Sequence, residues 1–223
     1  PGEFILPEES YKKTSDKKRL RQKNLWIIDP IDGSADFSHF LLGRKLQKGQ
    51  RSFSISIAWV KNKQVQLGVV HTPLLSETWV AEQNHGAWYK KDKTAWKKIR
   101  MHPIKSRLLT VALNGHERAT GENTHRLNNH RLVYHGSLVY RIVGTAVGHH
   151  DALISFNGGS KEWDVAAADI IVQEAGGRLL DGHNRPLCYN KADLVNHTLL
   201  IAGHSKTINT LLKTINTKKN FSQ

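Results

Sequence analysis

Two aspartates three residues apart are the first feature of this chain that could do chemistry. They lie in the run Leu25-Trp26-Ile27-Ile28-Asp29-Pro30-Ile31-Asp32-Gly33-Ser34. Trp26, Ile27 and Ile28 form a short β-prone stretch, and Pro30, with no N–H to donate, is expected to stop the ladder. Across a proline-led turn Asp29 and Asp32 can converge on one point, with the Ile31 carbonyl between them as a third oxygen. Hard oxygens clustered in this way suit Mg²⁺. Gly33 can adopt positive φ, and Ser34 offers a hydroxyl and, where a helical turn starts, backbone N–H groups for an oxyanion. The pentapeptide Asp-Pro-Ile-Asp-Gly is also a plain turn sequence, so two further stretches are needed to separate the readings. A haloacid-dehalogenase site, which also puts Asp-Gly after a strand, is excluded by spacing. It pairs acids two positions apart, and Pro30 stands two before Asp32.

The first of those stretches, Ile5-Leu6-Pro7-Glu8-Glu9-Ser10, places paired acids after a short apolar run. The second, Glu162-Trp163-Asp164-Val165-Ala166-Ala167-Ala168-Asp169, leads into Glu174-Ala175-Gly176-Gly177. Asp164 is expected to start a helix there, as a cap and as a complement to the dipole. The three stretches, in this order, resemble the inositol monophosphatase family of lithium-sensitive, Mg²⁺-dependent phosphatases. That family includes bisphosphate nucleotidases and, more distantly, fructose-1,6-bisphosphatase. The resemblance runs from about Ile5 to the last helix.

The resemblance implies a Mg²⁺-dependent phosphomonoesterase with two or three metal ions and no covalent intermediate. Glu8, Asp29 and the Ile31 carbonyl would hold one ion, and Asp29, Asp32 and Asp164 a second. Glu8 would position the attacking water, and Ser34 is the second catalytic candidate. Gly33 and Ser34 would bind the phosphoryl oxygens through N–H groups, and Arg141 would pair with a further substrate phosphate. Glu9 has no assigned role. The substrate favoured is 3′-phosphoadenosine 5′-phosphate, hydrolysed to AMP, with inositol 1-phosphate as the alternative. A non-catalytic member that binds RNA or protein through a basic surface is the reading from another class. Ser34 replaces the family's usual Thr, and the family's upstream segment of two packed helices, about 60 residues or more, is expected to be missing.

The composition agrees with a small anionic partner. Lys and Arg total 33 against 19 Asp and Glu, a net charge of +14 over 223 residues, and such a surface steers anions. Part of the excess sits in Lys12, Lys13, Lys17, Lys18, Arg19, Arg21 and Lys23. No aromatics interleave with it at base-stacking spacing, so it is expected to be a solvated loop and nucleic acid is disfavoured as a partner. No apolar run reaches the roughly 18 residues of a membrane helix, and no signal segment is seen. A single cysteine, Cys188, fits a reducing cytoplasm. A homodimer is left open.

The elements that must position these groups follow from periodicity. Phe53, Ile55, Ile57 and Trp59 alternate with Ser52, Ser54 and Ser56, which predicts a half-buried strand. Strands over 64–71 and 78–81 and the short run 87–89 complete an antiparallel meander. The second half alternates strands at 108–113, 131–134, 151–156 and 198–202 with helices at 136–148, 164–175 and 205–215, Ser137 capping the first of these. His39 lacks a second ligand at metal spacing and is expected to pack rather than coordinate. Tyr140 is expected to pack within its helix. The fold predicted is an α/β layered sandwich. A metal-binding lobe with an antiparallel sheet spans 1–105, and an α/β lobe that supplies the third Asp spans 106–223, the two forming one compact unit.

Overall fold

The computed structural model describes residues 3–12, 16–104, 106–121 and 123–217. Its first half is a seven-stranded sheet whose order in space is the order in sequence. The strands are β1 (Phe4–Pro7), β2 (Asn24–Asp32), β3 (Ser54–Lys61), β4 (Gln64–Thr72), β5 (Glu77–Glu82), β6 (Gly86–Lys91) and β7 (Lys97–Ile99). From β2 onward it is the expected meander, but β1 runs parallel to β2, Phe4 pairing with Leu25 and Pro7 with Ile28. Within that half lie two helices, α1 (Asp16–Arg19) and α2 (Ser34–Leu41).

The second half builds a mixed five-stranded sheet from β8 (Thr110–Leu113), β9 (Arg131–Tyr134), β10 (Ala152–Ser155), β12 (Arg178–Asp181) and β14 (Leu200–Gly203), in the order β12-β14-β10-β8-β9. A two-residue pair, β11 (Ser160–Lys161) and β13 (Val195–Asn196), stands apart. The helices are α3 (Gly115–Thr120), α4 (Leu138–Ala146), α5 (Ala166–Glu174) and α6 (Ser205–Thr217). Helices α4 and α5 fill the space between the two sheets, where Ile142, Val143, Ala167 and Ile171 meet Leu25, Ile27, Val70 and Trp79 on one side and Leu153, Leu200 and Ala202 on the other. Helix α6 covers the far face of the five-stranded sheet with Ile208, Leu211 and Ile215 against Val111, Ile154 and Ile201. The layers are sheet, helices, sheet, helix.

Three expectations are corrected. Pro30 does not end its strand. The ladder breaks register between Asp29 and Asp32, and β2 re-pairs at Asp32 with Ser54, so the missing N–H produces a bulge rather than a stop. The basic run is not wholly a solvated loop: Arg19 is fully buried at the end of α1, although Lys13 lies outside the described residues. In β3 the alternation holds but the buried face is the opposite of the one its hydrophobicity favours. Ser54, Ser56, Ala58 and Val60 point to the helices, while Ile55, Ile57 and Trp59 lie on the more open side. The close approach of α5 explains this. A Cβ added at neighbouring Gly68 would come within 2.5 Å of the Ala167 carbonyl, so only small groups fit beneath the helix.

Candidate active site

The geometry of the acidic site begins at the edge of the first sheet. Glu8 follows β1, and its N–H donates to the Ile28 carbonyl at 3.0 Å, which holds it beside the end of β2. Asp29 points inward on β2 and is 1% exposed. Its Oδ1 accepts from the Ile31 N–H at 2.9 Å, while its Oδ2 is buried with no partner. Asp164 arrives from the second half. It sits in a 3₁₀ turn (Glu162–Asp164) and does not itself start α5, whose N-cap is Val165. Its carboxylate instead accepts from the Lys161 N–H at 2.6 Å, closing the turn backward. One oxygen from each of Glu8, Asp29 and Asp164 lies within 4.8 Å of the others.

Such crowding is electrostatically unfavourable without a cation. Burial, then the Asp32 charge and Glu8, push the Asp29 carboxyl up to about 9. Burial, the Asp32 charge and, more weakly, Glu8 push Asp164 up to about 7, against the Lys161 N–H. Asp29 therefore holds a proton at neutral pH, and Asp164 is poised to, unless a positive ion replaces it. The unpartnered Asp29 oxygen and an all-oxygen donor set fit a hard divalent cation such as Mg²⁺.

Asp32 lies near enough to raise both neighbours, but its Oδ2 is turned to the start of α4. There it accepts from the Ser137 hydroxyl and, at 2.7 Å, from the Val139 N–H. The helix dipole favours that charge, yet burial outweighs the donors and Asp32 is also raised. Ser137 caps α4 as expected, its Oγ accepting from the Tyr140 N–H at 2.9 Å, and it touches Ser54 Oγ at 3.0 Å. No local pattern predicts its hold on Asp32, because the two are distant in sequence.

Gly33 and Ser34 form the start of α2. Gly33 is the N-cap at φ 89°, and its carbonyl accepts from Asp36 and Phe37, so the first N–H groups of the helix have no intrahelical partner. A Cβ at Gly33 would reach to 3.3 Å from Ser137 N, a second reason for glycine. Ser34 is exposed. Arg141 is only 4% exposed, its Nε donating to the Ser137 carbonyl at 3.2 Å and its charge facing Asp32 and Glu117. Glu9 is exposed. His39 packs on α2, its Nδ1 3.3 Å from Gln50 Nε2.

A clasp that the sequence hid fixes the two sides of the site together. Buried Glu162 accepts from the Asn190 and Lys191 N–H groups at 2.7 and 2.8 Å. Arg19, from the basic run, donates to Asn190 Oδ1 and to the Lys191 carbonyl, both at 2.8 Å. The 190–191 turn therefore joins the segment after Glu8 to the turn that carries Asp164. A buried, fully hydrogen-bonded arginine has no signature in a charge count.

The whole-chain comparison agrees with this geometry. The family model described as the inositol monophosphatase family matches residues 1–219. The chain belongs to the inositol monophosphatase family. Within it, the chain is 35% identical over 184 residues to a fructose-1,6-bisphosphatase/inositol-1-monophosphatase of Thermotoga maritima, covering 81% of this chain and 63% of that one. It is 33% identical to a 3′(2′),5′-bisphosphate nucleotidase CysQ of Aggregatibacter actinomycetemcomitans, covering 79% and 62%. The chain thus spans a little under two thirds of the length of these relatives. Among solved structures, an IMPase of Thermotoga maritima superposes with a TM-score of 0.75 at 29% identity, covering 97% of this chain and 75% of that one. Members of the family act on small phosphorylated substrates. Among the described residues, no helix is long and apolar enough to cross a membrane.

Proposed function

We propose that the protein is a Mg²⁺-dependent phosphomonoesterase. The observation that carries this is the set of three carboxylate oxygens from Glu8, Asp29 and Asp164 within 4.8 Å, beside the open start of α2. Glu8, Asp29 and the Ile31 carbonyl would hold one ion, and Asp29, Asp32 and Asp164 a second. Bound there, Mg²⁺ would supply Lewis-acid polarisation of the phosphate and a lowered pKa for water. Glu8 would orient the attacking water by accepting its hydrogen bond. The N–H groups of Gly33 and Ser34 would grip the phosphoryl oxygens, with the helix dipole behind them, and the Ser34 hydroxyl would add a donor. Displacement is direct, with no protein nucleophile.

Arg141 keeps a part in this reading through Asp32, whose charge it faces. Its burial argues against the direct substrate contact that its position in sequence suggested. The substrate proposed is 3′-phosphoadenosine 5′-phosphate, supported by the +14 net charge and by likeness to a relative named as a bisphosphate nucleotidase. Inositol 1-phosphate is the second reading, favoured by likeness to relatives named as a fructose-1,6-bisphosphatase/inositol-1-monophosphatase and as an inositol-1-monophosphatase. A cytoplasmic setting belongs to the same proposal, supported by one free, exposed cysteine, Cys188. The test is a panel of 3′-phosphoadenosine 5′-phosphate, inositol 1-phosphate and fructose 1,6-bisphosphate with the full-length protein and Mg²⁺. The highest kcat/KM is expected for the nucleotide. Preference for inositol 1-phosphate would overturn the substrate and leave the metal site standing, and no hydrolysis of any of the three by folded, Mg²⁺-loaded protein would overturn the enzyme.

A further inference from the structure

A second polar site lies along the same sheet, on the other side of α4's first turn. Asp29, Ser56, Val70 and Trp79 form one cross-strand row, and Glu77 stands two residues before Trp79 on the same inward face. Glu77 is 2% exposed and lines a cavity of about 790 Å³ together with Lys91, Arg118, Arg131, Tyr140 and His149. That volume is in the range of small-molecule sites. The Glu77 Oε1 accepts from the Tyr89 hydroxyl at 2.9 Å and from Lys91 Nζ at 3.2 Å, with His149 Nε2 at 3.6 Å. Its Oε2 is buried with no partner.

The donors that line the cavity beside it act on the other Glu77 oxygen or on one another. The Tyr140 hydroxyl lies 3.0 Å from His149 Nδ1. Burial lowers the His149 pKa, so the neutral ring that turns its Nε2–H toward Glu77 takes the tyrosine proton at Nδ1. The wall thus offers an unmet carboxylate acceptor and calls for a hydroxyl. Elsewhere the lining calls for an anion, with Lys91, Arg118 and Arg131 set against Glu77 alone. Arg118 is held in place by Gln47 Oε1 at 2.8 Å and by the Tyr134 ring, its guanidinium 5.7 Å from the centroid. Arg131 is exposed on β9 and has no acidic partner among the described residues. An amine would face three cations, and an anion without hydroxyls would leave Glu77 Oε2 unmet.

We infer that this cavity binds a small hydroxylated anion of the sugar-phosphate class, phosphate toward Arg118 and Arg131 and a hydroxyl on Glu77. The site is independent of the phosphatase reading, since none of its groups belongs to the acidic cluster. The experiment is calorimetric titration of the full-length protein in EDTA, which removes cation-mediated phosphate binding at Glu8, Asp29 and Asp164. Ribose 5-phosphate, inorganic phosphate and ribose are the probes. Ribose 5-phosphate is expected to bind at one site, with phosphate or ribose weaker by about tenfold or more. Glu77→Gln and Arg131→Ser are each expected to weaken ribose 5-phosphate by about tenfold, with circular dichroism unchanged. Arg131 is a surface position, so its variant decides the matter should Glu77→Gln fail to fold. No binding of ribose 5-phosphate would overturn the site. So would binding that Arg131→Ser leaves unaltered, which would put the sugar phosphate elsewhere, as at the start of α2.

Discussion

Asp29 and Glu77 share a face and an end of one sheet, yet their charges are met in opposite ways. Around Glu77 the protein supplies the positive and donor groups itself: Lys91, Tyr89 and the nearby His149 gather on one oxygen. Around Asp29 it supplies more negative charge, from Glu8, Asp32 and Asp164. The first arrangement is self-sufficient apart from one oxygen. The second is incomplete by design of the sequence, because like charges brought together in low dielectric stay ionised only beside a cation. The difference separates a carboxylate whose charge the protein's own donors meet on one oxygen from one that awaits a metal.

The contrast is broken most severely at Asp29. Asp29→Asn removes the carboxylate assigned to both ions, and kcat for the preferred substrate is expected to fall by at least about 10³-fold at saturating Mg²⁺. The same variant should melt higher than the wild type in EDTA at pH 8, since it relieves the repulsion. Turnover retained in Asp29→Asn would sink the two-metal assignment.

Ser137→Ala tests how Asp32 is held. It removes both a hydrogen bond to Asp32 and the cap of α4, and is expected to cost about 1 kcal/mol of stability and about 10–100-fold in activity. Ser34→Ala should be milder, because the backbone N–H groups remain, and Ser34→Thr should be neutral or better. Steady-state kinetics with thermal melts separates the two serines.

The pH dependence sharpens the comparison without a mutation. Folded-state carboxyls raised to about 9 at Asp29 and about 7 at Asp164 bind protons that the unfolded chain has already released. In metal-free protein the stability these two carboxyls contribute is fully present below the ordinary carboxylate range and is lost as pH rises through those values. Melting in EDTA should fall from pH 5.5 to pH 8, and added Mg²⁺ should raise Tm more at pH 8 than at pH 5.5, because it competes with protons. A Tm gain from Mg²⁺ independent of pH would contradict the cluster. The smallest effect is expected from Glu77→Gln on this same measurement: the Mg²⁺-induced gain in Tm should match that of the wild type.

Much of this was legible in sequence. Asp29, Asp32 and Asp164 announce themselves by their neighbours, since Pro30 and Gly33 are local devices that act over a few residues. The α/β layering follows from alternation in β3 to β5 and from the apolar stripe of α5. The helix at Ser34 follows from the residues that start it.

Other features depend on partners far away in the chain. Which face of β3 is buried was decided by α5, whose backbone approaches Gly68 too closely for large side chains; local hydrophobicity pointed the other way. Arg19 reads as one cation in a basic run until Asn190 and Lys191 are brought to it. Arg141 reads as a partner for a substrate phosphate until α4 is packed between two sheets and buries it. Asp164 reads as a helix cap, and only the 3₁₀ turn anchored by Glu162 aims it at Glu8 and Asp29. Spacing along the chain sets the residue types and local turns, because those energies are local. Burial, the partners of buried charges and the convergence of acids from both halves are long-range, and only the packed layers fix them.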